Sequence, residues 1–372
     1  MEDVFPPSTE KVTKQSELAA ACIKLAHNTA VAKTRCANVF FWSPTRLLGC
    51  FNDRRMGNIT VETLLNWIEC SMSVPSQQFD GYRLVMQGID LEPNSPTARG
   101  TAIRCLPVLP PCGAELARNE VVKPGDYIIL LKGSGKGWDE AKILDIEYRL
   151  ELAECFWTLK HETSFTEKHE GDVRYEITLE VRGPATQFPH YQGRCVVTGH
   201  QSDGALKVDL HWIYPPQWVY WHPTMKHSES LTWDEKGFSV PHNVIMMDDD
   251  VYRQFHDNAF GIDMYVRGFP NGKIYTFDDS PSLEKIPESP VVAIDDEETR
   301  EFFRLHFQQC LFVGIFGGDV EDDGASGKDA VDYMLNQVRL DEQEKYVFPK
   351  GKGWEDNLGK AVKAWVSLYG VV

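Results

Sequence analysis

His211, Asn243, His256 and a run of aspartates are the residues of this chain whose types and spacing can do chemistry. His211 closes the strand-like run Val208, Asp209, Leu210. Asn243 opens a second apolar run, and Asp248 to Asp250 then begin a short amphipathic segment carrying Tyr252, Phe255 and His256. Phosphodiester hydrolysis needs an activated water, stabilisation of the charge developing at phosphorus, and a group that holds the base in orientation. A neutral histidine suits the base role near neutral pH. A hard cation such as Mg²⁺ takes carboxylate oxygens, with histidine able to join the shell. His211 fits a base on a strand, and Asp209, two residues earlier, shares its face and can join a metal shell. Asn243 sits where a connection needs fixing. An aspartate of 248–250, Asp250 in particular, and His256 are the candidate ligands on the helix. Each has a plain alternative: Asp209 as a solvated strand residue, the aspartates as helix caps, Asn243 as a turn residue, His256 as a packed side chain.

The positioning elements follow from periodicity. Asp248–Asp250 read as the first turn of a helix, with Phe255 spaced to pack it on the strands. Residues 9–32 read as an N-terminal helix. Thr60 caps a second helix with an apolar stripe of Val61, Leu64, Leu65, Ile68 and Met72. Tyr82–Ile89 and Asp126–Leu131 read as strands in a region expected to hold two hairpins. Residues 150–192 are ambiguous: Tyr175–Val181 alternates like a strand, but the region is also charged enough for a helix, and Gly183-Pro184 is expected to break it. Beyond Asp263, strands are expected at Met264–Val266 and Lys273–Phe277, joined by a turn at Asn271-Gly272. Helices are expected at Asp296–Val313, near 328–340 and near 355–368. The aromatic group Trp212, Tyr214, Trp218, Tyr220 and Trp221 reads either as a platform for stacked bases or as a core wall.

Composition limits the function classes. The 372 residues carry a net charge of −17, the wrong sign for coating a long nucleic-acid surface. The nine cysteines are scattered without a Cys-x-x-Cys pair, which argues for a reduced compartment and against a zinc ribbon. No apolar run is long enough for a transmembrane helix, and the first residues lack a basic stretch leading into an apolar one. The expectation is an intracellular protein, in cytoplasm or nucleus, without a membrane partner. Lys132 to Gly137 tempt a phosphate-loop reading, but Leu130 stands where that motif needs glycine and Gly137 where it needs Ser or Thr.

Three segments carry a family resemblance. Residues 194–199 read Arg-Cys-Val-Val-Thr-Gly, His211 precedes Pro215 by four, and Asn243 leads through Asp250, Tyr252 and Phe255 to Phe260, Gly261 and Ile262. This pattern resembles the HNH (His-Asn-His) nuclease domain common in fungal proteins. Weaker similarity extends to Thr63–Val85 and to a helix around His306 and Phe307. The resemblance implies an α+β fold. Its ββα-metal core would be flanked by an N-terminal mixed α/β region and C-terminal helices. It divides the chain into 1–34, 35–150, 151–280 (the HNH-like part) and 281–372. It implies metal-dependent endonucleolytic cleavage of DNA, with His211 and Asn243 catalytic and His256, Asp250 and Asp209 holding Mg²⁺, Mn²⁺ or Zn²⁺. Two departures matter. Tyr252 falls where the family has its helix histidine, and His256 falls where it usually has aspartate. Either His256 supplies the ligand from one turn away, or the scaffold persists as an inactive nucleic-acid or protein interaction module.

Overall fold

A computed structural model describes residues 26–42, 47–71, 82–89, 114–133, 176–191, 193–202, 207–220, 234–279, 281–317 and 333–369. The protein is mixed α+β and divides into two compact units. The first comprises Met1–Ile68, Val74–Leu150 and Phe316–Val372; the second, Glu69–Ser73 and Glu151–Ile315. The region expected as 281–372 is thus split, with 281–315 in the second unit and the rest in the first. Among the described residues no helix is long and apolar enough to cross a membrane.

The first unit has, within the described residues, the short helix α1 (Ala30–Thr34), capped by the Thr29 hydroxyl. Of the helix expected at 9–32, residues 9–25 lie outside the described residues. Strands β1 (Val39–Trp42) and β2 (Leu47–Phe51) are wholly buried. After the short helix α2 (Asp53–Met56) comes α3 (Val61–Ser71), where the Thr60 hydroxyl accepts the Thr63 amide and Val61, Leu64, Leu65 and Ile68 are buried. These belong to the apolar stripe expected from helical spacing, whose last member, Met72, lies outside the described residues. Strands β3 (Tyr82–Gly88) and β4 (Gly125–Gly133) complete a sheet of order β2-β1-β4-β3, with β1 and β4 parallel and the other pairs antiparallel. The remaining pieces are the strand pair Arg339–Leu340 with Tyr346–Val347 and the helix Asn357–Tyr369. Arg339–Leu340 therefore belong to a strand where a helix was expected; residues 328–332 of that helix lie outside the described residues.

The second unit starts with α4 (Leu179–Ala185). The alternation through Val181 reads like a strand. The helix forms because Val181 and Ala185, one turn apart, both bury against Leu210, Trp212, Val244 and Met246. Strand β5 (Val208–Trp212) follows, then a short helix α5 (Glu235–Phe238) and a single 3-10 turn, Pro241–Asn243. Strand β6 (Val244–Asp248) pairs antiparallel with β5 and runs without a break into α6 (Asp249–His256). Strands β7 (Phe260–Asp263) and β8 (Lys273–Thr276) form a second antiparallel pair. The expected strand Met264–Val266 is not one: β7 ends at Asp263, and residues 264–266 belong to the connection between the two strands, which Gly272 closes at φ 82°. The long helix α7 (Glu297–Gly314) is capped by the Asp296 carboxylate, which accepts the Thr299 amide at 2.7 Å.

The core of this unit is aromatic. Tyr214, Trp218, Phe238, Phe255, Phe260, Phe302 and Phe303 are each almost fully buried. Burying side chains of this size contributes on the order of 1.5–3 kcal/mol each. Phe255 anchors α6 as its spacing suggested: it stacks on His306 at 3.6 Å and packs edge-on against Phe303. Gly261 lets β7 lie directly on α7, since a Cβ there would stand 2.8 Å from Phe307 and 3.0 Å from the Cys310 sulfur.

Candidate functional site: a histidine-aspartate pair on a β-β-α frame

The site is built on β5, β6 and α6. In the β5–β6 register His211 opposes Ile245 and Asp209 opposes Met247. Asp248 ends β6 and caps α6, its carboxylate accepting the Asp250 amide at 3.0 Å and the Val251 amide at 3.4 Å. With Asp248 committed to the cap, Asp249 becomes the first helical residue beside the end of the strand pair. Its amide donates to the Lys207 carbonyl at 3.0 Å, which ties the helix start to the residue preceding β5. From there the Asp249 carboxylate faces His211 Nε2 at 3.1 Å.

An ionised carboxylate only accepts, so this contact fixes the proton on Nε2 and leaves Nδ1 as the basic nitrogen. His211 Nδ1 carries no hydrogen bond among the described residues. The ring lies flat on Tyr252, centroids 4.0 Å apart and planes 17° apart. Its side chain is 17% exposed. Burial pulls the imidazole down to about 4, against the opposing pull of the Asp249 and Asp209 carboxylates. The ring is therefore neutral at pH 7.

The surrounding charges form one network. Lys207, Asp209 and His211 alternate along the strand and so share a face. Lys207 Nζ lies 3.5 Å from Asp209 and 3.3 Å from Asp249. Hydrogen bonding and charge from Asp249 raise its ammonium above the ordinary lysine value. Asp209 also accepts from its neighbour's Leu210 amide at 2.8 Å and pairs with Arg182 of α4 at 3.3 Å. Burial pushes the Asp209 carboxyl up, but these donors together hold it below its ordinary value.

Asn243 sits beneath this frame, fully buried. Its side-chain oxygen accepts the Tyr214 amide at 2.9 Å, and its NH₂ donates to the carbonyls of Tyr214 at 2.7 Å and Phe238 at 2.8 Å. Both amide donors are thereby used on backbone, so Asn243 staples the segment after β5 to the segment before β6. It fixes geometry and presents no donor to a water at His211.

The ligand positions implied by the resemblance do not assemble. His256 shares a helical face with Tyr252, but that face points inward: His256 is 1% exposed and lies edge-on to Trp218 at 4.8 Å. Asp250 is exposed on the helix start. Asp209 is engaged by Arg182 and Lys207. Among the described residues no three His, Cys, Asp or Glu side chains are grouped to enclose a metal. The residues present thus do not fit the divalent cation that the resemblance implies. Trp212, Tyr214 and Trp218 are buried core wall, not a platform for bases. Trp221, His222 and His227 lie outside the described residues.

Three participants escaped the sequence reading. Asp249 was one of three adjacent aspartates, and only the capping role of Asp248 distinguishes it. Lys207 carried an available signal, the two-residue alternation with Asp209 and His211. Arg182 reaches the site through α4, a helix that the sequence left ambiguous and expected to be broken at Gly183-Pro184. No family model matches the chain, and neither the curated proteins nor the solved structures give a match.

Proposed function

We propose that the second unit is an HNH-type β-β-α module acting on phosphodiester bonds of nucleic acid, with His211 as general base. The observation that carries this reading is the 3.1 Å contact between His211 Nε2 and Asp249 Oδ1, joining the strand histidine to the first turn of the following helix. The carboxylate selects the tautomer, Nδ1 accepts the proton of the attacking group, and Asn243 holds the chain that presents the histidine. Position and charge of a neutral, oriented imidazole are worth about 10²–10⁴-fold in rate for such a step. The order of elements and the segments at 194–199, 211–215 and 243–262 support the same reading.

The test is cleavage of labelled DNA and RNA oligonucleotides and of supercoiled plasmid, each with Mg²⁺, Mn²⁺, Zn²⁺ or EDTA. Wild type should cut at least one substrate, and His211→Ala should cut at least about 10²-fold more slowly. Cleavage of nothing under any of these conditions would sink the reading.

Tyr252 favours a second reading. Its ring covers one face of His211 at 4.0 Å, at the position where the family resemblance places a ligand. On this reading the scaffold is an inactive module that binds a nucleic acid or a protein, and the net charge of −17 favours a basic protein partner. The inactive module and the enzyme separate in the same cleavage experiment.

A further inference from the structure

The position between Asp209 and Asp249, where carboxylates of a metal-dependent site would hold a cation, is taken by the ammonium group of Lys207. An ammonium has three donors, and two are directed at these carboxylates. Among the described residues the third meets no acceptor, and the side chain is 70% exposed. Arg182 likewise spends one of its five donors on Asp209. So two cations, each part-exposed, join the carboxylates Asp209 and Asp249, and Asp249 in turn contacts His211.

We infer that this site cleaves RNA without a metal ion, using Lys207 as the built-in cation and the 2′-hydroxyl of the substrate as nucleophile. The inference rests on the phosphodiester reading above and names its substrate class. A fixed ammonium stabilises charge on a phosphoryl oxygen as a point charge. It does not generate a nucleophile from water, as a bound divalent cation does. The substrate must then carry its own, and RNA does, adjacent to each phosphorus. DNA does not.

The step balances on the groups present. His211 Nδ1 takes the proton of the 2′-hydroxyl as the 2′-oxygen forms its bond to phosphorus. Lys207 bears on a non-bridging oxygen as negative charge builds there. The bond from phosphorus to the 5′-oxygen breaks, and the imidazolium returns the same proton to that oxygen. The products are a cyclic 2′,3′-phosphate and a free 5′-hydroxyl, with no oxidant, reductant or added water. Asp249 acts through His211, holding its tautomer and balancing the transient imidazolium. The acidic chain favours contact with a single phosphate of an unpaired strand over tracking a long duplex.

The experiment uses the full chain with end-labelled single-stranded RNA in EDTA, beside DNA of the same sequence and RNA blocked by 2′-O-methyl groups. The expected result is RNA cleavage in EDTA with cyclic-phosphate ends, none of it on DNA or blocked RNA. Lys207→Ala and His211→Ala, purified in the same way, should each lose at least about 10²-fold in rate. Asp249→Asn should slow the reaction and shift its pH profile, which a purely structural aspartate would not do. Cleavage that requires added Mg²⁺ or Mn²⁺ and proceeds on DNA would overturn the inference and leave the phosphodiester reading standing. RNA cleavage unchanged by both alanine variants would assign the activity elsewhere and overturn the inference. No cleavage of either nucleic acid, with or without metal, would overturn both.

Discussion

Removing the Asn243 amide should cost stability before it costs chemistry. Its three hydrogen bonds, at 2.7, 2.8 and 2.9 Å, all go to backbone groups of Tyr214 and Phe238. In Asn243→Ala the Tyr214 amide and the carbonyls of Tyr214 and Phe238 would each lose the hydrogen bond that Asn243 supplies. A buried polar group left unsatisfied costs about 1–3 kcal/mol. If water reaches one of the three, the loss is about 2–6 kcal/mol in total. Asn243→Asp should be at least as damaging, because a carboxylate oxygen would face two carbonyl oxygens where an NH₂ now donates. The assay is urea unfolding of the full chain, followed by tryptophan fluorescence and circular dichroism at one pH. A loss below about 1 kcal/mol for Asn243→Ala would refute the staple. So would a variant of normal stability that lacks cleavage, since that pattern belongs to a residue touching substrate.

Other expectations rest on separate contacts. His306 is fully buried, hydrogen-bonded to the Phe255 carbonyl at 2.8 Å, and burial depresses it to about 3. A depressed histidine stabilises the fold above the unfolded value near 6.5, and that contribution is lost as pH falls toward the folded value. Wild type should therefore lose about 2 kcal/mol more than His306→Gln between pH 7.5 and 5 in parallel urea titrations; identical slopes would contradict the buried neutral ring. Gly261→Ala should destabilise by about 1–3 kcal/mol through contact with Phe307 and Cys310, and an unchanged melting temperature would show that β7 and α7 are less closely packed. With His211 held near 4, cleavage should climb as pH rises through that value and level off above it. A climb centred near 6.5 instead would mean that burial does not depress the base.

Much of this architecture was legible because local signals and tertiary packing agree. The helix beginning after Asp296 carries its own cap, acidic first turn and buried face. The segment from Asp248 reads as a helix for the same reasons, and His211 sits on a strand whose alternation is clear. Where packing decides, the sequence misleads. Tyr175–Val181 alternates enough for a strand and Gly183-Pro184 reads as a break, yet Leu179–Ala185 is a helix on which Val181 and Ala185 find a common surface. Arg339 and Leu340 form a strand only because Tyr346 and Val347 return beside them. His256 has helical spacing to Tyr252, but nothing local reveals that the shared face turns toward Trp218. Among three consecutive aspartates, capping by the first decides which one meets His211.

The central claim is that Asp249 holds His211 as a neutral Nε2–H tautomer with Nδ1 ready to accept a proton. Nitrogen-15 NMR of histidine-labelled protein, assigned through His211→Gln, reads this directly. At pH 7 the His211 signals should show a protonated Nε2 and an unprotonated Nδ1, and the ring should titrate near 4. A proton resident on Nδ1, or titration at or above the ordinary value of about 6.5, would contradict the account.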